Sequence, residues 1–435
     1  RMQRFGYGLL WLLGTAALSQ CWECGEPDGI PNAPYAPPLK ASSNEDWLSV
    51  RADLIGVIFG TNPKEGLPKR AVPDHVEPIF GPQQEGCACS KLGHCAPEEC
   101  AWDNNMTKII WTMEAKVNNS YTLRINSTVF HTLNTSGVAP LQYPPLGPPQ
   151  MPGKIPSTRA FPAKHLSDTL LIFHHGHAQP CDICDVDHNG FVDWVILEYL
   201  SCPHKSKPGL TAQQANQLGY DTMEIQMPLH QCNYIKESGC DHSWFQQWED
   251  QGVPTIKFFL EPVVLSINYA RSLGYKRIIM AGLSGGGWTT TLMAAIDPRI
   301  QLSFPVAGSA PCDFNHTSWD YEQFCGQPWA QVANYTSLYV LAALESDRYS
   351  VQVIHEQDPC CFHGCGRHPA IRKYNKWVQS QIQGRFATSP TVGNLHEVNE
   401  RDKVIIASLM DKLRVSGELS ASDFTRIPFN TLDEW

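Results

Sequence analysis

The chain has 435 residues, 42% of them hydrophobic and 17% charged, and a formal net charge of −10. This is globular composition, long enough for one large α/β domain with extensions. No Lys/Arg run forms a basic stripe, which argues against a nucleic-acid partner, and no segment reaches the ~18 consecutive apolar residues of a membrane span, so no stable membrane insertion is expected.

Residues 1–20 have the layout of a secretory signal peptide. Arg4 is basic, Gly8 to Leu18 is apolar, and Ala17 and Ser19 are small residues placed for cleavage before Gln20 or Cys21. All 16 cysteines lie beyond it, an even number that fits a disulfide framework. Six N-x-S/T sequons, at Asn105, Asn118, Asn126, Asn134, Asn315 and Asn334, predict N-linked glycans. Together these features predict a secreted, extracellular glycoprotein.

Residues 21–104 form a Cys/Pro-rich N-terminal extension with little periodicity, in which Cys87, Cys89, Cys95 and Cys100 read as a disulfide-tied loop. Thr107–Val117 and Tyr121–Asn126 then read as the arms of a β-hairpin about Asn118-Asn119-Ser120. The Pro-rich piece 139–156 is a connection. From residue 165 strands and helices alternate. Thr169–Phe173 is a buried strand, Phe191–Leu200 a helix, and Tyr220–Met227 a second strand. Ile256, Phe259, Leu260, Val263, Val264 and Ile267 recur at helical spacing, with Pro262 expected to kink that helix or mark its start. Lys276–Ala281, Gln301–Ala307 and Ser350–Ile354 are further strands. Continuous apolar strands separated by helices imply a mostly parallel central sheet with helices on both faces.

Within that alternation, the strand Ile278–Ala281 runs directly into Gly282-Leu283-Ser284-Gly285-Gly286, and Trp288–Ile296 follows as a helix. This is a G-x-S-x-G elbow in a strand–turn–helix context. Such a turn presents the serine hydroxyl at a helix N-terminus, where backbone N–H groups and the helix dipole stabilise an oxyanion. Ser284 is therefore the expected nucleophile.

An activated serine needs a base, and the base needs an orienting carboxylate. With the nucleophile on such an elbow, the chain order is Ser, then acid, then His. His396, in the glycine-containing loop that leads into the helix Asp402–Leu413, suits the base. Asp358, just past the strand Ser350–Ile354, suits the acid. Asp347 competes with it, because the apolar run Leu338–Leu344 ahead of it reads equally as strand or helix. His174-His175-Gly176-His177 directly follows the strand Thr169–Phe173, so the backbone N–H of His177 or its neighbour is expected to join that of Gly285 in an oxyanion hole. The three histidines lack H-x-x-x-H spacing, and no metal is assigned to them. Asp185–Asp193 matches the start of a calcium loop, but Ile196 stands where the twelfth-position Glu belongs, and a polar capping loop is preferred. Cys360, Cys361 and Cys365 read as disulfide partners rather than a metal cluster.

With Gly282–Gly286, His175-Gly176, Asp358 and His396 in this order, the chain resembles the α/β-hydrolase superfamily over residues 105–435. The resemblance implies a Ser-His-Asp hydrolase acting on a small-molecule or polymer carboxylic ester without a cofactor. A secreted serine peptidase and a catalytically inactive hydrolase-fold binding protein are the alternatives.

Overall fold

The structure is a computed structural model. It describes residues 43–79, 106–133, 168–177, 220–312, 320–358, 368–391 and 396–425. The expected signal peptide, the Cys87–Cys100 segment, the helix over Phe191–Leu200, the Asp185–Asp193 loop and the Cys360–Cys365 group lie outside the described residues.

Nine strands form one sheet in the order β1-β2-β3-β5-β4-β6-β7-β8-β9. They are β1 (His75–Ile79), β2 (Met106–Lys116), β3 (Thr122–Thr132), β4 (Thr169–His174), β5 (Asp221–Ile225), β6 (Arg277–Leu283), β7 (Ile300–Val306), β8 (Tyr349–His355) and β9 (Phe386–Thr391). Strands β5, β4, β6, β7, β8 and β9 pair in parallel. β1, β2 and β3 are joined antiparallel at the other side, with β3 against β5.

The parallel strands β4 to β8 are buried along nearly their whole length because both faces are covered. In β4, Leu170 and Ile172 enter one hydrophobic cluster, whereas Leu171 and Phe173 enter the other. Helices α1 (Asn44–Phe59), α2 (Lys257–Ser272), α3 (Gly285–Ile296), α4 (Tyr335–Ala342) and α5 (His368–Gln381) pack into the first cluster. Helices α6 (Glu400–Ser416) and α7 (Ala421–Thr425) cover the second. The fold is the α/β-hydrolase arrangement: a mostly parallel sheet between two helical layers.

The hairpin expected about Asn118–Ser120 is β2–β3, paired from Lys116↔Thr122 to Met106↔Thr132. Its buried residues alternate as Ile109, Trp111, Met113 and Ala115, the period of a half-buried strand. The indole N–H of fully buried Trp111 donates to Ser266 Oγ at 3.1 Å, tying the hairpin to α2. α2 begins at Lys257 and runs through Pro262, so the proline neither starts nor ends it.

Part of the 21–104 stretch, expected to lie outside the α/β unit, is built into it. β1 extends the sheet against β2. α1 places Trp47, Leu54, Ile55, Ile58 and Phe59 in the first core cluster. The surrounding Cys/Pro-rich sequence hid this helix, whose apolar face is completed only by the packing.

Buried Arg51 of α1 donates to the α3 carbonyl of Ala295 at 2.9 Å, and Arg348 donates to the carbonyls of Ile300 at 2.9 Å and Leu341 at 3.0 Å. Both guanidinium groups share the carboxylate of Glu345. Partial burial alone would raise the Glu345 carboxyl, but the two arginines outweigh it and hold the group at about 2. The unfolded value is about 4.3, so this contribution is fully present above that pH and is lost as pH falls through the folded value. Glu345→Gln leaves two buried cations without their counter-charge and is expected to cost about 3 kcal/mol at neutral pH. Urea melts between pH 2 and 6 should show a shallower acid decline for the variant than for the wild type.

Cys312 and Cys325 form a disulfide with their Cα atoms 6.1 Å apart, and Cys232 and Cys240 each take part in a disulfide. Among the described sequons, Asn118 and Asn126 are exposed on the hairpin, whereas Asn334 caps α4 by accepting from the Ser337 N–H at 3.0 Å. Among the described residues, no helix is long and apolar enough to cross a membrane.

Candidate active site

In the order β5-β4-β6, the chain goes from β4 to β5 on one side and returns to β6 on the other. Such a switch point opens a crevice beyond the carboxyl ends of the strands. Ser284 lies there, at the end of β6, with φ 58° and ψ −127°. A non-glycine residue in this conformation is strained and persists only where its surroundings enforce it. The enforcement is visible. Ser284 N–H donates to the Val306 carbonyl of β7 at 3.0 Å, and the Ser284 carbonyl accepts from Trp288 N–H at 2.9 Å. α3 begins immediately after Ser284, so the Gly285 N–H belongs to the first turn, whose donors have no partner inside the helix.

The glycines of the elbow are required by close approach. A Cβ on Gly286 would lie 1.9 Å from the His174 carbonyl oxygen, and one on Gly282 would lie 2.3 Å from that of Gly286. All these obstacles are backbone. Gly286→Ala is therefore expected to destabilise the protein by about 4 kcal/mol or more, the range of severe overpacking and strain. Thermal melts should show the loss directly. The three threonines that follow settle their buried hydroxyls on the carbonyls four residues back, Thr290 Oγ1 donating to Gly286 at 2.8 Å.

His174 pairs with Gly282 across β4 and β6, which carries His175-Gly176-His177 past the serine turn. A Cβ on Gly176 would lie 2.8 Å from Ser284 Cβ, and one on Gly285 would lie 2.9 Å from His177 Cε1. Gly285 and His177, the two expected oxyanion donors, are thus neighbours. His175 Nε2 lies 3.2 Å from buried Glu224 Oε2, which holds the loop on β5. Burial lowers His174 to about 3, so this ring is neutral at physiological pH.

β8 ends at His355, and Asp358 follows with a fully buried side chain. His396, in the turn ahead of α6, brings Nδ1 to 2.7 Å from Asp358 Oδ2. Its Nε2 is buried and makes no hydrogen bond among the described residues. The run Leu338–Leu344 is the helix α4, not a strand, and Asp347 is exposed at the amino end of β8. A seven-residue strand therefore separates Asp347 from the edge that carries Asp358, a span of about 20 Å.

Two groupings were not foreseen from the sequence. His355 Nε2 lies 2.7 Å from Asp402 Oδ2, and its Nδ1 lies 4.0 Å from Asp358 Oδ2. Burial alone would lower His355, but Asp402 foremost, with Asp358 and Glu397, leaves it raised. In the sequence Asp402 stood only at the start of the expected helix Asp402–Leu413; in the structure it also closes the Asn399–Asp402 capping box of α6. The second grouping joins His177 to His230, His242, Asp320 and Glu322. Burial would raise Glu322, but His242 and His177 hold its carboxyl at about 2. His177 is lowered by burial, and His242 adds to that. A cavity of about 340 Å³ opens beside this group, lined among others by His177, Asp241, His242, Asp320 and Phe324. A second cavity, about 610 Å³, lies between α1 and Gln331-Val332 and shares no residue with the elbow.

No protein-family model and no curated protein matches the chain. Among solved structures, it is similar to a cold-adapted esterase from an Arctic intertidal metagenomic library, at 12% identity over 74% of this chain and 97% of that one, with a TM-score of 0.38. It is also similar to Est1E from Butyrivibrio proteoclasticus, at 14% identity over 70% of this chain and 99% of that one, with a TM-score of 0.36. A predicted CIB-like hydrolase from Thermoplasma acidophilum matches at 12% identity over 71% of this chain and 99% of that one, with a TM-score of 0.33. These identities and scores are low, and the reading of the fold rests on the strand order of the chain itself.

Proposed function

We propose that this chain is a secreted serine hydrolase that cleaves a carboxylic ester. The observation that carries the reading is Ser284 in its positive-φ turn between β6 and α3, on the sheet edge that also holds the pair of buried Asp358 and half-buried His396. Ser284 Oγ attacks the ester carbonyl. His396 accepts the serine proton at Nε2 and passes it to the departing alcohol oxygen. Asp358 accepts the Nδ1–H bond, fixes that tautomer and stabilises the imidazolium. The backbone N–H of Gly285, with that of His177 or its neighbour, receives the oxyanion. Water then attacks the acyl-serine with His396 again as base, releasing the acid and restoring Ser284.

Secretion is supported by the signal-like segment and the cysteine content, and glycosylation by the exposed sequons Asn118 and Asn126. A fluorophosphonate probe combined with a panel of ester and peptide substrates tests the reading. Labelling at Ser284 with ester turnover is the expected result. Peptide cleavage alone would move the assignment to a serine peptidase. Neither labelling nor turnover would leave a binding protein on a hydrolase fold.

A further inference from the structure

His177 follows β4, His230 follows β5, and His242 opens the short helix His242–Phe245. Their ring nitrogens lie within 4.8 Å of one another, and His230 and His242 are buried. One hydrogen bond fixes which nitrogen of His242 faces the common point. The Nε2–H of His242 donates to the Pro228 carbonyl at 2.8 Å, so Nδ1 is the inner nitrogen. That Nδ1 lies 3.0 Å from His177 Nε2 and 2.9 Å from Glu322 Oε2. Glu322 Oε1 is 3.4 Å from the same His177 nitrogen, and His177 turns its outer Nδ1 toward Asp320 at 3.5 Å. With His242 neutral and the His177 proton on Nδ1 toward Asp320, two lone pairs and a fully buried carboxylate converge on one point. Such a point is electrostatically unfavourable without a cation.

We propose that His177, His230, His242 and Glu322 bind one divalent transition-metal ion, zinc by the chemistry of three imidazoles and a carboxylate. Tetrahedral zinc with Zn–N bonds of ~2.0–2.1 Å sets its ligand nitrogens roughly 3.3 Å apart. The His177–His242 separation of 3.0 Å is already close to that value. Ligand histidines characteristically give their outer N–H to a carbonyl or carboxylate, the placement of Pro228 O and Asp320 here. Glu322 in the first shell and Asp320 behind His177 together balance the two positive charges. Four protein ligands fill the coordination sphere, which makes this a structural centre. It would fasten the loops after β4 and β5 to the segment around Glu322, and through His177 press the first of them against Gly285. This inference goes beyond the esterase reading and does not rest on it. A proton on His242 Nδ1 is the rival cation. With the alternative of a proton on His177 Nε2, it accounts for the His177–His242 and His242–Glu322 contacts, and binds no zinc.

The test is metal analysis of the purified, disulfide-intact protein, with zinc K-edge absorption on the wild type. About one zinc per chain is expected, with a nitrogen/oxygen shell at ~2.0 Å and imidazole scattering. Chelation should lower the melting temperature and zinc should restore it. Ser284→Ala should retain the metal, which separates this proposal from the catalytic one. Glu322→Gln and His242→Ala should each weaken zinc binding roughly 100-fold or more. If His242→Ala does not fold, Glu322→Gln and the wild-type spectrum decide. Protein that takes up no zinc at micromolar free metal would overturn the proposal. So would a sulfur shell at ~2.3 Å, which would put the metal on cysteines, or variants that bind zinc as the wild type does.

Discussion

Ser284→Ala is expected to abolish hydrolysis, with a loss of roughly 10⁶ in turnover, while leaving the fold intact. Nucleophile and base act as one unit, so losing the hydroxyl removes the whole covalent route; the residual rate comes from the oxyanion donors and binding. The fold should survive because the backbone of the turn is held by bonds that the substitution leaves alone, to the Val306 carbonyl and from Trp288 N–H. Alanine meets the same positive-φ strain as serine and adds no atom at a crowded position. Initial rates on a responsive ester, measured beside circular dichroism and a thermal melt, check both halves. An alanine variant that retained near wild-type turnover would remove Ser284 from the mechanism.

Asp358→Asn is expected to reduce turnover by up to ~10⁴, and Asp347→Asn to leave it nearly unchanged. The His396 Nδ1 lies 2.7 Å from Asp358 Oδ2. An amide there cannot stabilise the imidazolium, and its N–H₂ turned toward the ring favours the tautomer with Nδ1 as acceptor and the proton on Nε2, where a base is needed. Asp347 is exposed at the far end of β8 and has no histidine partner among the described residues. Steady-state kinetics of the two variants, each with its melting temperature, make the comparison. The reverse ranking would assign the acid role to Asp347 and require a different base.

His355 Nε2 lies 2.7 Å from Asp402 Oδ2, 47 residues away in sequence, and its Nδ1 lies 4.0 Å from Asp358 Oδ2, a juxtaposition that no local pattern announces.

Where the determinants were local, the sequence was sufficient. The elbow was legible because its strand, turn and helix are consecutive and its glycines answer to backbone atoms within the same turn or the adjacent strand. Five of the six parallel strands were legible because burial on both faces enriches them in apolar residues, whereas β9, Phe-Ala-Thr-Ser-Pro-Thr, was missed because its sequence carries too little of that signal. The hairpin was legible because one buried face gives it period two.

What failed depended on contacts that local pattern does not encode. The Leu338–Leu344 run is apolar on every side because α4 is buried among other elements, which removes the periodicity that separates helix from strand. α1 and β1 lie in a stretch whose prolines and cysteines suggest a loop, and only the shared core and the edge of the sheet make them part of the domain. The His177 grouping joins residues 65 and 80 positions apart, from loops that meet only because the strands beneath them are neighbours. By itself the sequence determined the class of sheet, the strained serine turn and the order of the groups around it. The tertiary structure alone decided that Asp358 rather than Asp347 adjoins His396, and that His177 meets His230 and His242 on one side and Asp320 and Glu322 on another, because strand order and crossover direction set which loop ends share an edge.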